Sequence, residues 1–309
     1  MEGDSIEMVE FTNLLALCLN EYNNLAPCDS NTCGAGFFCM ANNCAKGRCD
    51  RCLNHIQWHP SPNFHYSCPK ITFHYVLRFF NRFASEIAYV VLNLRSYYLQ
   101  VKRSLNVVSL GCGPGSEVYG FIGALRNKAP HIVLNYQGFD LNSTWGAVQQ
   151  MSRNVLAATP HRIDFYNLNM FGAYAGFQGG DCDMLVLNYL LSDAQKYYSN
   201  AGKVKFLEDI AQFVFQNNVK IILFNDNSYY GKGGLDTGVG MMFRLIKELR
   251  NWQLQPKVIL RYFPSDNYVP SPMWRAYSDE RLLFAPVAGN TFDTNINRCK
   301  SKQILVTLS

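Results

Sequence analysis

Val-Val-Ser-Leu-Gly-Cys-Gly-Pro-Gly-Ser-Glu, residues 107–117, is the stretch on which the fold turns. Val107, Val108 and Leu110 make a short apolar run suited to a buried strand. Glycines follow at 111, 113 and 115, and a helical pattern opens near Ser116 or Glu117. Glycine reaches backbone angles closed to other residues and lets a ligand approach the main chain with no Cβ in the way. In an open α/β sheet such a ligand sits at the carboxyl ends of the strands. The next apolar run, Tyr-Gln-Gly-Phe-Asp, ends in Asp140. A carboxylate there can accept both hydroxyls of a ribose.

Working outward, short apolar runs alternate with helical stretches. Strands are expected at Asn106–Leu110, Leu134–Phe139, Arg162–Tyr166, Met184–Leu187, Lys220–Phe224, Val258–Phe263 and Ile304–Leu308. Helices are expected at Glu117–Asn127, Thr144–Leu156, Val204–Asn217 and Gly238–Trp252. Strands interleaved with helices predict a doubly wound, mostly parallel, seven-stranded α/β sheet over residues 104–309. No internal repeat or low-complexity run is visible.

The strand, the Gly-Cys-Gly-Pro-Gly turn and the acid ending the second strand resemble the class I methyltransferases that use S-adenosylmethionine, which are Rossmann-like. A nicotinamide-binding domain wants a further glycine three positions after Gly113, where this chain has Ser116. The resemblance implies S-adenosylmethionine as cofactor, with Gly111, Gly113 and Gly115 lining its methionine end and Asp140 holding its ribose. It implies Asn169 and Met170 near the adenine, and Asn188 and Tyr189 beside the sulfonium. Asp226, Tyr189 and Asn188 are the expected catalytic residues, with Asp226 the preferred base and Asp193 a lesser candidate. Two positions depart from the family. Ser109 stands where an acid usually lies two residues before the first glycine. Asn188-Tyr-Leu-Leu191 replaces the Asn/Asp-Pro-Pro-aromatic box of enzymes that methylate exocyclic base nitrogens or glutamine, which makes that class an unsuitable reading.

The rest of the chain is different in character. Of 309 residues 11 are cysteines, and seven of these (Cys28, Cys33, Cys39, Cys44, Cys49, Cys52, Cys68) fall between 28 and 68 with His55, His59 and His65. A chain of this length does not need disulfides to fold. The acidic start, Met1 to Phe11, matches neither a secretory signal nor a mitochondrial presequence. A cytoplasmic or nuclear location is therefore expected, where clustered cysteines more often bind metal. Cys33, Cys39, Cys44, Cys49, Cys52, His55, His59 and Cys68 are the expected ligands of zinc in a small N-terminal metal-binding module. An iron–sulfur cluster is the rival, because Cys44, Cys49 and Cys52 have ferredoxin-like spacing. The expected organisation is a helix in 1–27, the Cys/His-rich module in 28–70, a helical linker in 71–103 packed on the catalytic domain, and that domain in 104–309.

Charge sharpens the choice of partner. Residues 28–105 carry nine bases against three acids, whereas residues 1–27 carry five acids and no base. A basic stretch beside a zinc module favours RNA as the acceptor over protein or a small molecule. A binding protein of the same fold without turnover is the alternative of another class. No apolar run reaches the roughly 18–20 residues that span a bilayer, and no membrane partner is expected. Apolar content of 48% excludes wholesale disorder.

Overall fold

The computed structural model describes residues 5–25, 49, 52–53, 68–94, 102–169, 182–227, 237–265, 272–286 and 297–308. Its strands in chain order are β1 (Ser104–Leu110), β2 (Val133–Asp140), β3 (Arg162–Asn167), β4 (Met184–Asn188), β5 (Ile221–Asp226), β6 (Lys257–Tyr262), β7 (Arg275–Ala276) and β8 (Lys302–Thr307). They form one sheet in the order β3-β2-β1-β4-β5-β8-β6-β7. β1 through β5 pair in parallel, and β8 runs antiparallel between β5 and β6. The chain steps outward from β1 to β3, then returns to the other side of β1 for β4. That reversal leaves a crevice at the carboxyl ends of β1 and β4.

Alternation along the strands explains the two layers of helix. Leu105 and Val107, Leu134 and Tyr136, and Met184 and Val186 enter one core. Val108 and Leu110, Leu185 and Leu187, and Ile222 and Phe224 enter the other. Side chains alternate across a strand, so a strand buried on both faces reads as a continuous apolar run. The first core is covered by α1 (Val9–Asn24), α2 (Pro69–Asn93), α3 (Ser116–Lys128) and α4 (Gly146–Leu156). The second is covered by α5 (Leu191–Tyr197), α6 (Asn200–Gln216) and α7 (Thr237–Asn251).

Helix α2 carries Pro69 in its first turn, where the missing N–H has no helical partner to lose. Nineteen of its 25 residues are buried, so it runs through the molecule with almost no solvent face. It crosses α3 so closely that a Cβ on Gly120 would stand 2.5 Å from the Ala84 carbonyl oxygen. Phe11 of α1 joins the same core, its ring against Phe80, Tyr119 and Phe284. Residues 5–25 and 68–94 thus share a core with the sheet.

Each strand read from the sequence is present within two residues of its expected ends. Two elements add to the seven-stranded expectation. The two-residue β7 makes the sheet eight-stranded, and α5 is a short helix of seven residues. Both are too short for a periodic apolar pattern to betray them. No helix among the described residues is long and apolar enough to cross a membrane.

Candidate functional site

The turn after β1 is held in an uncommon backbone form. Gly111, Gly113 and Gly115 have φ of 61°, 52° and 81°, in the left-handed region that favours glycine. A Cβ on Gly115 would also lie 2.6 Å from ring carbons of Phe165. The turn is tied to its surroundings by main-chain bonds. Cys112 N donates to Phe139 O at 3.2 Å, and Gly115 N donates to Cys112 O at 2.9 Å. Gln149 Nε2 donates to Gly113 O at 2.7 Å.

Asp140, at the end of β2, clamps this turn to the next one. Its Oδ2 accepts from Gly113 N at 2.8 Å and its Oδ1 from Asn142 N at 2.8 Å. Each oxygen keeps a further lone pair for a ligand donor. Burial raises its pKa, while the two backbone donors pull the other way.

The turn opens into a cavity of about 510 Å³ at the crevice between β1 and β4. Among the expected cofactor residues, Gly111, Gly113, Asp140, Asn169 and Asn188 line it. Gly115 stands just behind, as the N-cap of α3, and Met170 lies outside the described residues. Tyr189 forms part of the wall, with Tyr75, Phe83 and Trp145. Asp193, Tyr197, Tyr198 and Lys205 extend the lining along α5 and α6.

The missing acid at Ser109 has a structural counterpart. Ser109 Oγ donates to Glu117 Oε1 at 2.6 Å, and Tyr136 Oη donates to the same oxygen at 2.8 Å. Ser109 and Glu117 are fully buried. A carboxylate from the first turn of α3 therefore occupies the interior beneath the glycine turn. Burial raises the pKa of Glu117 and its hydroxyl donors oppose that rise. No local spacing announces this pair, because eight residues and a chain reversal separate its members.

Beyond β4 the chain turns sharply. Tyr189 has φ 55°, a left-handed conformation costing a non-glycine residue about 1–2 kcal/mol. Its N donates to Asn225 O at 2.7 Å and its hydroxyl donates to Glu86 Oε2 at 2.8 Å. Burial drives the phenol well above its ordinary pKa, so Tyr189 serves as a donor and not as a base. Asn188 is buried, with its Oδ1 accepting from Asn225 Nδ2 at 2.9 Å.

Asp226 does not take the place expected of a base. It is fully buried and absent from the cavity wall. Its carboxylate accepts from Ser192 N at 3.0 Å, Ser192 Oγ at 2.8 Å and Asn227 N at 2.8 Å. It thereby satisfies the start of α5, where negative charge also suits the helix dipole. Burial nonetheless pushes its pKa up to about 7. The nearer acid is Asp193, which lines the cavity, is partly exposed and pairs with Lys196 at 3.1 Å.

Cys33, Cys39, Cys44, His55 and His59 lie outside the described residues. Cys49 is buried in the main core, where Tyr22 Oη donates to its Sγ at 3.8 Å. Cys52 and Cys68 are buried with Leu53, Ile71, Phe79 and Phe83. Among the described residues no three His, Cys, Asp or Glu side chains converge as metal ligands. The zinc expectation therefore gains no support from the described residues, which include only three of its eight expected ligands.

No family model matches the chain, and no curated protein matches it. Similar solved structures include a Listeria monocytogenes protein classed with the class I S-adenosylmethionine-dependent methyltransferases. It is 10% identical, with a TM-score of 0.42 over 72% of this chain and 58% of that one. The bifunctional kinase-methyltransferase WbdD is 14% identical, with a TM-score of 0.38 over 72% of this chain and 38% of its own. Magnesium protoporphyrin IX methyltransferase from Synechocystis, solved with bound S-adenosylmethionine, is 12% identical, with a TM-score of 0.39 over 73% and 79%. The chain thus spans 58% or less of the first structures it matches. With TM-scores below 0.5 these likenesses carry no functional weight, and function has to be read from the site.

Proposed function

We propose that the protein transfers a methyl group from S-adenosylmethionine to a macromolecule, RNA in preference to protein or a small molecule. The observation that carries this reading is the glycine turn clamped by Asp140, opening on the cavity where the strand order reverses. A volume of about 510 Å³ suits a small-molecule site. All three glycines hold left-handed angles, and a Cβ would press on Leu190 at Gly111 and on Phe165 at Gly115, so the turn keeps this form only with glycine.

When bound, S-adenosylmethionine supplies a methyl group already activated on a sulfonium. The chain's own task is to bind, align and keep water out. The main chain of Gly111–Gly115 and the carboxylate of Asp140 hold the cofactor, with Asn169 at its far end. Glu117 steadies the turn from beneath in place of the strand acid that Ser109 replaces. Tyr189, Phe83 and Tyr75 wall the acceptor side, and Asn188 with Asn225 keeps the end of β4 in register. RNA is favoured by the basic balance of residues 28–105.

Calorimetry with S-adenosylhomocysteine tests the cofactor site. Asp140→Ala is expected to weaken binding by about 1–3 kcal/mol, through loss of a charged acceptor. Unchanged affinity would remove Asp140 from the site. Transfer of labelled methyl to cell RNA, sensitive to ribonuclease, tests the acceptor. Tight cofactor binding with no transfer to any fraction would replace the enzyme with a binding protein. We also propose zinc in the Cys/His-rich stretch. Metal analysis of the purified chain should find about two zinc ions, since zinc takes four ligands; iron or no metal would overturn it.

A further inference from the structure

We propose that Arg78 and Arg82 of α2 form a seat for a phosphate group of the methyl acceptor, beside the wall made by Tyr189 and Phe83. This deepens the methyl-transfer reading and rests on it. The two side chains lie one helical turn apart, so they share a face. The guanidinium carbon of Arg82 stands 4.8 Å from the Phe83 ring centre and 5.7 Å from that of Tyr189, both rings of the cavity wall. Both guanidinium groups also lie against Phe79, at 5.2 Å for Arg78 and 5.4 Å for Arg82. The rings hold the guanidinium groups over their faces and leave the N–H edges to meet a phosphate.

The hydrogen bonding of this cluster is incomplete. Nε of Arg78 and Nε of Arg82 are both buried without a hydrogen-bond partner among the described residues. The Arg82 side chain is only 9% exposed. Its nearest counter-charge is Glu86, with Nε 3.6 Å from Oε1, beyond hydrogen-bond reach. Glu86 is already supplied by other donors: Tyr189 Oη and Asn225 Nδ2 on Oε2, and Lys300 N on Oε1. Arg82 is thus paired only loosely with Glu86, and Arg78 makes no ion pair among the described residues, which leaves positive charge next to the acceptor wall. A buried cation without a hydrogen-bonded partner is costly. A phosphate, which accepts the fork of N–H donors that arginine presents, removes that deficit.

The experiment titrates inorganic phosphate into the full chain, saturated with S-adenosylhomocysteine, by calorimetry at constant ionic strength with chloride as control. Saturable binding is expected, weakened about tenfold or more in Arg78→Gln and Arg82→Lys, since each removes charge-assisted bonds. Lys257→Gln, exposed at the start of β6 and outside the cavity lining, should leave phosphate affinity unchanged. S-adenosylhomocysteine affinity is measured separately in each variant and should stay within about twofold, because neither arginine lines the cofactor turn. Arg78 is only partly buried, so its substitution decides the matter even where Arg82→Lys does not fold. No binding above the chloride control, or equal binding by Arg78→Gln, would overturn the proposal. Displacement of phosphate by equimolar acetate would overturn the choice of phosphate over carboxylate. Loss of S-adenosylhomocysteine binding by the wild type would instead count against the cofactor reading alone.

Discussion

The two ends of the cavity are built by opposite means. At the glycine end, the ligand-facing surface is main chain: Gly111 and Gly113, fixed by left-handed angles, with the turn pinned by Asp140. At the α2 end, the surface is side chain: Tyr75, Phe83 and Tyr189, backed by Arg82 and Glu86. A main-chain site depends on local conformation, so its parts lie within one turn and the end of the next strand. A side-chain site draws on residues far apart in sequence, as the Glu86 bonds to Tyr189, Asn225 and Lys300 illustrate. The first end is rigid and general, and the second is where an acceptor can be selected.

The largest blow to this contrast should come at the glycine end. Gly115→Val combines a left-handed angle with a ring contact at 2.6 Å. A loss of about 2–5 kcal/mol in thermal unfolding is expected, with cofactor binding abolished. Gly146→Ala, where an added Cβ meets nothing within 4 Å, is the matched control and should cost little. A Gly115→Val protein that still binds S-adenosylhomocysteine would mean that the main chain does not make this end.

Next in size is the pH response of Asp226, the acid that holds α5 against β5. Its folded pKa of about 7 exceeds the ordinary 3.8, so the folded state binds the proton more tightly. The associated stabilisation is complete below the ordinary value and is lost as pH rises through about 7. Unfolding free energy should fall by about 3 kcal/mol between pH 5 and pH 8, one pKa unit being worth about 1.4 kcal/mol. Asp226→Asn should flatten that slope in denaturant melts across the same range. An unchanged slope would show that other groups carry the pH dependence.

The smallest effect sharpens the α2 end. Tyr189→Phe removes the hydroxyl bond to Glu86 while keeping the ring. A cost of about 1 kcal/mol in stability is expected. Methyl transfer should slow while S-adenosylhomocysteine affinity holds. Weakened cofactor binding with normal transfer would place Tyr189 at the wrong end.

Much of the scaffold is legible from local pattern. Apolar runs bounded by glycine and acids locate seven strands, and the turn at 111–115 locates the crevice. The base assignment is not legible in this way. Asp226 follows a buried strand and looks exposed in sequence, yet Ser192 and the start of α5 close over it. The Ser109 and Glu117 exchange is equally hidden. A serine in place of an acid reads as a loss until α3 folds back and returns a carboxylate to the same interior.

What the amino-acid order alone determined is the set of features with short-range causes. These are the strand alternation, the helix that starts behind Gly115 and the glycine turn whose angles no other residue adopts readily. What only the tertiary structure decided is which polar groups meet. Glu117 finds Ser109 and Tyr136, Glu86 finds Tyr189 and Asn225, Asp226 is withdrawn from the cavity, and Arg82 is left beside its wall. The reason is one of range. Backbone angles and side-chain periodicity are set within a few residues, whereas a buried charge is satisfied by whatever the packing of distant elements brings within hydrogen-bond reach.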